Sequence, residues 1–388
     1  MKIMHVCLNG AVTDGFQYQD NLLPKYHRKL GYDVVLVTSL YAFDEKGIVV
    51  KISENRMEYI NCDDVRIIRL PMKRGQKYET KLKKYVGLAD TLETEKPNII
   101  FIHDFQYPDV AVIKKYLSKH KYIKAYADNH ADFSNSATNW ISKNILHKII
   151  WRYYAKILEP YIIKFYGVLP ARVIFMEKMY GLPKSKCELL VMGADDDLVK
   201  KICTQENKKK LRMKWGIDKD DFLIVTGGKI DKWKVQTLLL MDAVKKIGIN
   251  NVKLIVFGSV DEQIKQEFEQ RIDNVKIKYV GWIKPIETYY YFNAAELVVF
   301  PGRHSVFWEQ TVAEGIPMVV KDWNGTHHID LGGNVIFLKN DSVDEIQYTI
   351  EDIVTKPEKY SYMKKIAVEK GMKKFSYLNI AKESIEQR

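Results

Sequence analysis

The sequence predicts an α/β protein built on two parallel sheets, each covered by helices on both faces. Three observations carry this. Short β-branched runs alternate with longer helix-like stretches along the 388 residues, the rhythm that buries a parallel sheet on both sides. The rhythm stops at a polar stretch rich in Asp and Lys, residues 193–214, and then starts again. At roughly 150 residues per domain the length fits two or three domains, and 46% apolar residues is enough to give each a core.

Taken in order, the first sheet is expected from runs at 2–8, 33–38, 65–70, 98–103, 122–127, 167–169 and 188–192, with helices between most of them. The second is expected from 222–226, 252–257, 275–279, 296–300, 318–320 and 335–338. The expected domains are 1–200 and 201–371, joined by a solvated crossing at 193–214. A helix-like tail, 372–388, follows after the second sheet is complete, and so is expected to dock elsewhere. Open parallel sheets bind ligands beyond the carboxyl ends of their strands, so chemistry is sought at the strand tips, in a cleft between the two domains.

Composition removes several classes. With 28% charged residues, 21 Gly and 11 Pro, the chain is neither a membrane bundle nor a collagenous or disordered polymer. The apolar run from Ile3 to Leu8 is too short for a signal peptide, and no stretch is long enough to span a bilayer, so a cytoplasmic protein is expected. Cys7, Cys62, Cys187 and Cys203 lie far apart, without C-x-x-C spacing, and are expected to be reduced and mostly buried. The net charge of +12 favours an anionic partner. The first 200 residues are the more basic part, with 31 Lys and Arg against 23 Asp and Glu.

At the strand tips of the first half, Gly15 lies in the loop just before a helix expected near Gln19. Glycine there lets backbone N–H groups approach a ligand, although an ordinary turn explains it equally well. No G-x-G-x-x-G follows any strand, which speaks against NAD or FAD. His103 and His130 end two strands. His130 has polar neighbours, Asp128, Asn129 and Asp132, suited to sugar hydroxyls, whereas His103 reads as structural.

In the second half, V-T-G-G-K ends a strand at Gly228 and Lys229, and Lys234 follows at the start of the next helix. Two cations around a glycine turn would hold a diphosphate without metal. Further on, P-G-R-H-S-V-F-W-E-Q makes Ser305 an expected N-cap, with the N–H groups of Val306 and Phe307 facing an anion. Glu309 and Gln310, one turn in, could bind ribose hydroxyls, and a first-turn Glu also stabilises a helix start by itself. The acidic runs at 195–197 and 218–221 read as turns, so no metal is expected.

These segments resemble glycosyltransferase family 4, whose members have the two-domain GT-B fold, and the likeness covers nearly the whole chain. G-G-K-I-D-K-W-K resembles the family's diphosphate-gripping segment, with Lys229 in place of the usual Arg and Lys234 in the place of its Lys. Y-V-G-W-I resembles the strand whose following backbone holds the base, which implies Gly281, Trp282 and Ile283. E-Q-T-V-A-E-G-I-P-M-V-V resembles E-A-M-A-x-G-x-P-V-V, with Gln310 where the second of two glutamates is usual and no acid before Ser305. The loop and helix from Asp14 resemble the family's glycine loop, His130 matches its cleft histidine, and F-S-Y-L-N-I-A-K resembles the final helix that crosses back to the first domain.

The resemblance implies a metal-independent, retaining glycosyltransferase that moves a sugar from a nucleotide-diphosphate donor, a UDP-sugar by expectation, to a glycan or lipid-linked acceptor in cell-surface polysaccharide or glycolipid assembly. The missing glutamate motivates an alternative, a degenerate GT-B protein that binds nucleotide or glycan as a partner module. Basic stretches at 73–84 and 114–124 carry no nucleic-acid recognition spacing. Together with 139–166, where tryptophans and tyrosines stand among lysines, they suit peripheral contact with the anionic inner face of a membrane; the other reading is that the aromatics fill core and the lysines are solvated.

Overall fold

The computed structural model describes residues 1–44, 47–232 and 235–386. The chain forms two compact units, Met1–Val191 joined by the chain end from Ile380, and Met192–Asn379.

The first unit is built on β1 (Lys2–Cys7), β2 (Asp33–Ser39), β3 (Tyr41–Phe43), β4 (Val49–Lys51), β5 (Met57–Ile60), β6 (Arg66–Leu70), β7 (Ile99–Ile102), β8 (Lys124–Asn129), β9 (Lys164–Gly167) and β10 (Cys187–Leu189). Eight of these form one sheet in the order β10-β9-β8-β7-β1-β2-β6-β5, parallel except for the edge strand β5, while β3 and β4 pair separately as a hairpin. β1 is central, paired to both β2 and β7, and is buried from Ile3 to Cys7 because helices cover both faces. Within that buried run the one strongly polar side chain, His5, is completely inaccessible and therefore needs partners inside the protein.

The second unit holds β11 (Phe222–Gly227), β12 (Val252–Phe257), β13 (Ile277–Tyr279), β14 (Leu297–Phe300), β15 (Met318–Lys321) and β16 (Val335–Leu338), in the order β13-β12-β11-β14-β15-β16. Every pairing is parallel. In each sheet the chain reverses its direction of growth once, between β1 and β7 and between β11 and β14. Helices on opposite faces diverge at such a switch point and leave a crevice at the strand carboxyl ends.

The expected α/β class and both parallel sheets are present. The strand expected at 167–169 lies three residues earlier, and β3, β4 and β5 were missed because they are short and half-exposed, without an apolar run. The stretch 193–214 carries no strand and is largely helical. It forms helices Asp196–Ile202 and Gln205–Lys214, capped by Asp195, whose carboxylate accepts from the N–H groups of Asp197 and Leu198, and by Thr204. Buried Arg212 anchors the second of these through Glu296 and the carbonyls of Ala294, Asp218 and Asp221. The chain end is likewise two helices, Pro357–Phe375 and Tyr377–Glu383, with Ser376 between them.

Candidate active site

At the switch point of the first unit, the turns after β7 and β8 are fastened to each other. Asp128 Oδ1 accepts the Asp104 N–H at 2.8 Å, and Asp104 Oδ1 accepts the His130 N–H at 2.8 Å. Asp104 takes a left-handed conformation, φ 54°, to make this exchange. Asp128 itself is fully buried and also bonds Gln19 and His103, each at 3.0 Å. His130 Nε2 lies 3.6 Å from Asp128 Oδ1, and its side chain, about 33% exposed, is the part of this cluster that reaches the surface. Burial alone would lower the His130 pKa, but the carboxylates of Asp128 and Asp104 outweigh it and raise it. Burial would raise Asp128, yet His103 and His130 hold it well below the usual carboxylate range.

Asp128, Asn129 and Asp132, expected to meet an acceptor, have their side chains engaged within the unit. Asn129 bonds Gln106 and the Ala131 carbonyl, while Asp132 accepts from Ser134, Asn135 and Arg172. They build the turn that presents His130. Gly15, at φ 79° in the exposed loop before the helix Gln19–Lys29, has open space around it. That loop is tied down by buried Arg69, which donates to the carbonyls of Val12, Ser39 and Tyr41. Sequence reasoning passed over His5, His27, Gln19, Arg69 and Lys83. Lys83 is buried, donates to the Asn9 carbonyl at 2.8 Å and has its pKa lowered to about 8 by burial, so this member of the basic 73–84 stretch is no solvated surface charge.

In the second unit, the end of β11 and the turn after β12 approach so closely that only glycine fits. A Cβ on Gly258 would stand 1.8 Å from the Gly228 carbonyl oxygen, and one on Gly227 would meet the Phe257 ring at 2.5 Å. Gly228 donates to the Phe257 carbonyl, and Gly258 to that of Gly281. Beside them Lys229 is 70% exposed, with its ammonium 3.7 Å from Asp231. Lys234 lies outside the described residues. After β13, Gly281 takes φ 78°, Trp282 is exposed and Ile283 is half-buried.

After β14, the helix is Phe307–Ala313 with Val306 at its N-cap, so Ser305 stands one residue earlier than expected; its hydroxyl accepts the Phe307 N–H at 3.4 Å. Glu309 and Gln310 are buried. Glu309 Oε1 accepts from His304 Nε2 at 2.9 Å and His328 Nε2 at 2.8 Å, and Gln310 donates to Thr288 and Glu314. Against the effect of burial, the two imidazoles lower the Glu309 pKa to about 2. Among the described residues, His304, Glu309 and His328 form the group with metal-binding atoms gathered within 4.8 Å. Their geometry fits a hydrogen-bonded cluster better than a metal cage. Both Nε2 atoms already point at one carboxylate oxygen, and His328 Nδ1 lacks the second partner that orients a ligating imidazole.

Residues 207–370, almost all of the second unit, match a family model described as glycosyl transferases group 1. An uncharacterized glycosyltransferase of Methanocaldococcus jannaschii is 21% identical over 352 residues, 87% of each chain. Among solved structures, a glycosyltransferase from Rickettsia africae ESF-5 has a TM-score of 0.70 at 14% identity, covering 98% of this chain and 96% of that one. Anabaena HepE in complex with UDP-glucose has a TM-score of 0.68 at 14% identity, covering 99% and 98%. The fold is that of the GT-B glycosyltransferases.

Proposed function

We propose that the protein is a retaining glycosyltransferase of family 4 that transfers a sugar from a UDP-sugar to a glycan or lipid-linked acceptor, without a metal, during cell-surface polysaccharide or glycolipid assembly. The observation that carries this reading is the glycine turn after β11. It lies at the switch point of the unit matched by the glycosyltransferase model, and it brings backbone and an exposed lysine to one strand end. In the reaction the acceptor oxygen bonds the anomeric carbon as the carbon–oxygen bond to the diphosphate breaks, and the hydroxyl proton leaves toward the departing phosphate.

Lys229 and Lys234 are assigned to the charge that builds on the leaving diphosphate, with Gly228, Ser305, Val306 and Phe307 supplying close backbone around it. Gly281, Trp282 and Ile283 would hold the base, Glu309 and Gln310 the wall of the donor pocket, and Gly15 and His130 the sugar end. A thermal-shift screen of nucleotide sugars tests the donor class: stabilisation by UDP-sugars is expected, and no response to any nucleotide sugar refutes it.

The inward-turned Glu309 and Gln310 favour one second reading, a binding module that has lost turnover. Nucleotide release from a donor sugar separates the two, because a pure binder releases none.

We further propose peripheral contact with an anionic membrane that would carry a lipid-linked acceptor. The helical segment 140–158 buries Trp151 but exposes Trp140, Ile141, Ile145, Ile149 and Tyr153, among the exposed cations Lys143, Lys148, Arg152 and Lys156. Of the two sequence expectations, core filling therefore holds for Trp151 while the opposite side of the segment is an apolar stripe rimmed by positive charge, a composition suited to the headgroup boundary. No described helix is long and apolar enough to cross a membrane.

A further inference from the structure

Three imidazoles stand in a row inside the first unit. His5 is fully buried, with Nδ1 2.9 Å from His103 Nε2 and Nε2 2.9 Å from His27 Nδ1. At one end of the row, His103 Nδ1 lies 3.0 Å from Asp128 Oδ2. At the other, His27 Nε2 lies 2.9 Å from the Ala381 carbonyl oxygen and 3.0 Å from Ser384 Oγ.

The hydrogens in this row can be counted. The Ala381 carbonyl can only accept, so His27 Nε2 carries hydrogen and the Ser384 hydroxyl is left to donate to the same carbonyl at 2.8 Å. The opposite end is a carboxylate, also an acceptor. Between these ends the row makes a hydrogen bond at His27–Ala381, His27–His5, His5–His103 and His103–Asp128, each of which needs one hydrogen. Three neutral imidazoles supply one N–H apiece and so fall one short. Without a further proton, two lone pairs would face each other in a buried site, an arrangement that costs the full desolvation of an unmade bond.

With that proton added, every bond in the row is made. Moving it from one ring to the next keeps every bond and displaces only the charge. The Asp128 carboxylate attracts the charge to the near ring, His103, while burial lowers the pKa of His5 and brings that of His27 to about 4.

We propose that His27, His5 and His103 hold one excess proton against Asp128, and that this buried ion pair makes His103 a positioning residue for His130. The inference rests on the proposed place of His130 at the reacting sugar. A carboxylate balanced by His103 draws less positive charge onto His130 than a bare one would, so His103 limits the rise in His130 proton affinity that Asp128 causes. The other groups facing the cluster are Asp20 with Cys7, Asp104 beneath His130, Arg172 on Asp132, and Tyr32, whose ring meets His27 edge-on.

The experiment is a long-range proton–nitrogen spectrum of the full chain labelled at histidine nitrogen, recorded at neutral pH. One imidazolium and two neutral rings, each protonated on Nε2, are expected for the row; three neutral rings would overturn the proposal. This readout needs no variant and no substrate, so it stands apart from the assignment of His130. In His103→Gln, titration of His130 followed by the same spectra should move up by about one pH unit, roughly a tenfold gain in proton affinity. An unmoved His130 titration overturns the positioning role. Normal sugar transfer by His130→Ala would remove the link to catalysis while leaving the spectrum of the row unaffected.

Discussion

Replacing Gly258 by alanine tests the close approach of strand ends on which the donor turn depends. The added Cβ would lie 1.8 Å from the Gly228 carbonyl oxygen, and Gly228 C and N lie at 2.7 and 2.9 Å. All three are backbone atoms, so no side chain can swing aside. The residue also sits at φ 118°, where an L side chain is strained whatever the space around it. Backbone strain of ~1–3 kcal/mol and overpacking of ~1–3 kcal/mol add to a loss of ~4 kcal/mol in the stability of the second unit. Two other glycines calibrate the figure. Gly281 has φ 78° but nothing within 4 Å, so Gly281→Ala should cost only the backbone term, ~1 kcal/mol. Gly248 has open space and an ordinary φ, so Gly248→Ala should lie within ~0.5 kcal/mol of the native chain. Urea unfolding, followed through the buried Trp308 of this unit, gives the three values. A Gly258→Ala loss below ~1 kcal/mol, or an order other than Gly258, Gly281, Gly248, would refute the packing argument.

Lys234→Ala should reduce nucleotide release from the donor by about 10²- to 10³-fold while the chain remains folded, and near-normal turnover would withdraw its diphosphate role. Glu309, with its pKa depressed from 4.5 to about 2, contributes stability that is present above pH 4.5 and is lost as pH falls toward 2. The contribution is ~3 kcal/mol, so Glu309→Gln should flatten the acid dependence of unfolding across that window; an unchanged acid limb would show that the two imidazoles do not hold the carboxylate. Native protein should sediment with anionic vesicles at low salt and less so at moderate salt, and Ile149→Glu should weaken this about tenfold. Equal sedimentation of the variant would discard the exposed stripe as the contact surface.

Much of the fold was readable because burial on both faces leaves a local trace. The runs at β7 and β14 are apolar without alternation, and those at β1 and β12 nearly so, the pattern that a parallel sheet covered on both faces requires. The edge strands β3, β4 and β5 left no such trace, since half of each is in water. The helices within 193–214 were hidden for a different reason. Their stability comes from side-chain caps and from the bonds of Arg212 to residues as distant as Glu296, whereas local composition reads only as charge.

For the site, glycines at strand ends and a histidine beyond β8 could be found by type and position, because a close backbone approach and an exposed imidazole each demand a particular residue. What those residues touch was not readable. Glu309 looks like a ligand-facing carboxylate in a first helical turn, yet its oxygen is taken by His304 and by His328, a loop residue 19 positions later. His5, a strongly polar group inside the buried run of β1, signals locally that it must have partners. Only the tertiary structure decides that they are His27 and His103, brought together from 22 and 98 positions away, because hydrogen-bond pairing depends on distance in space and leaves no periodicity along the chain.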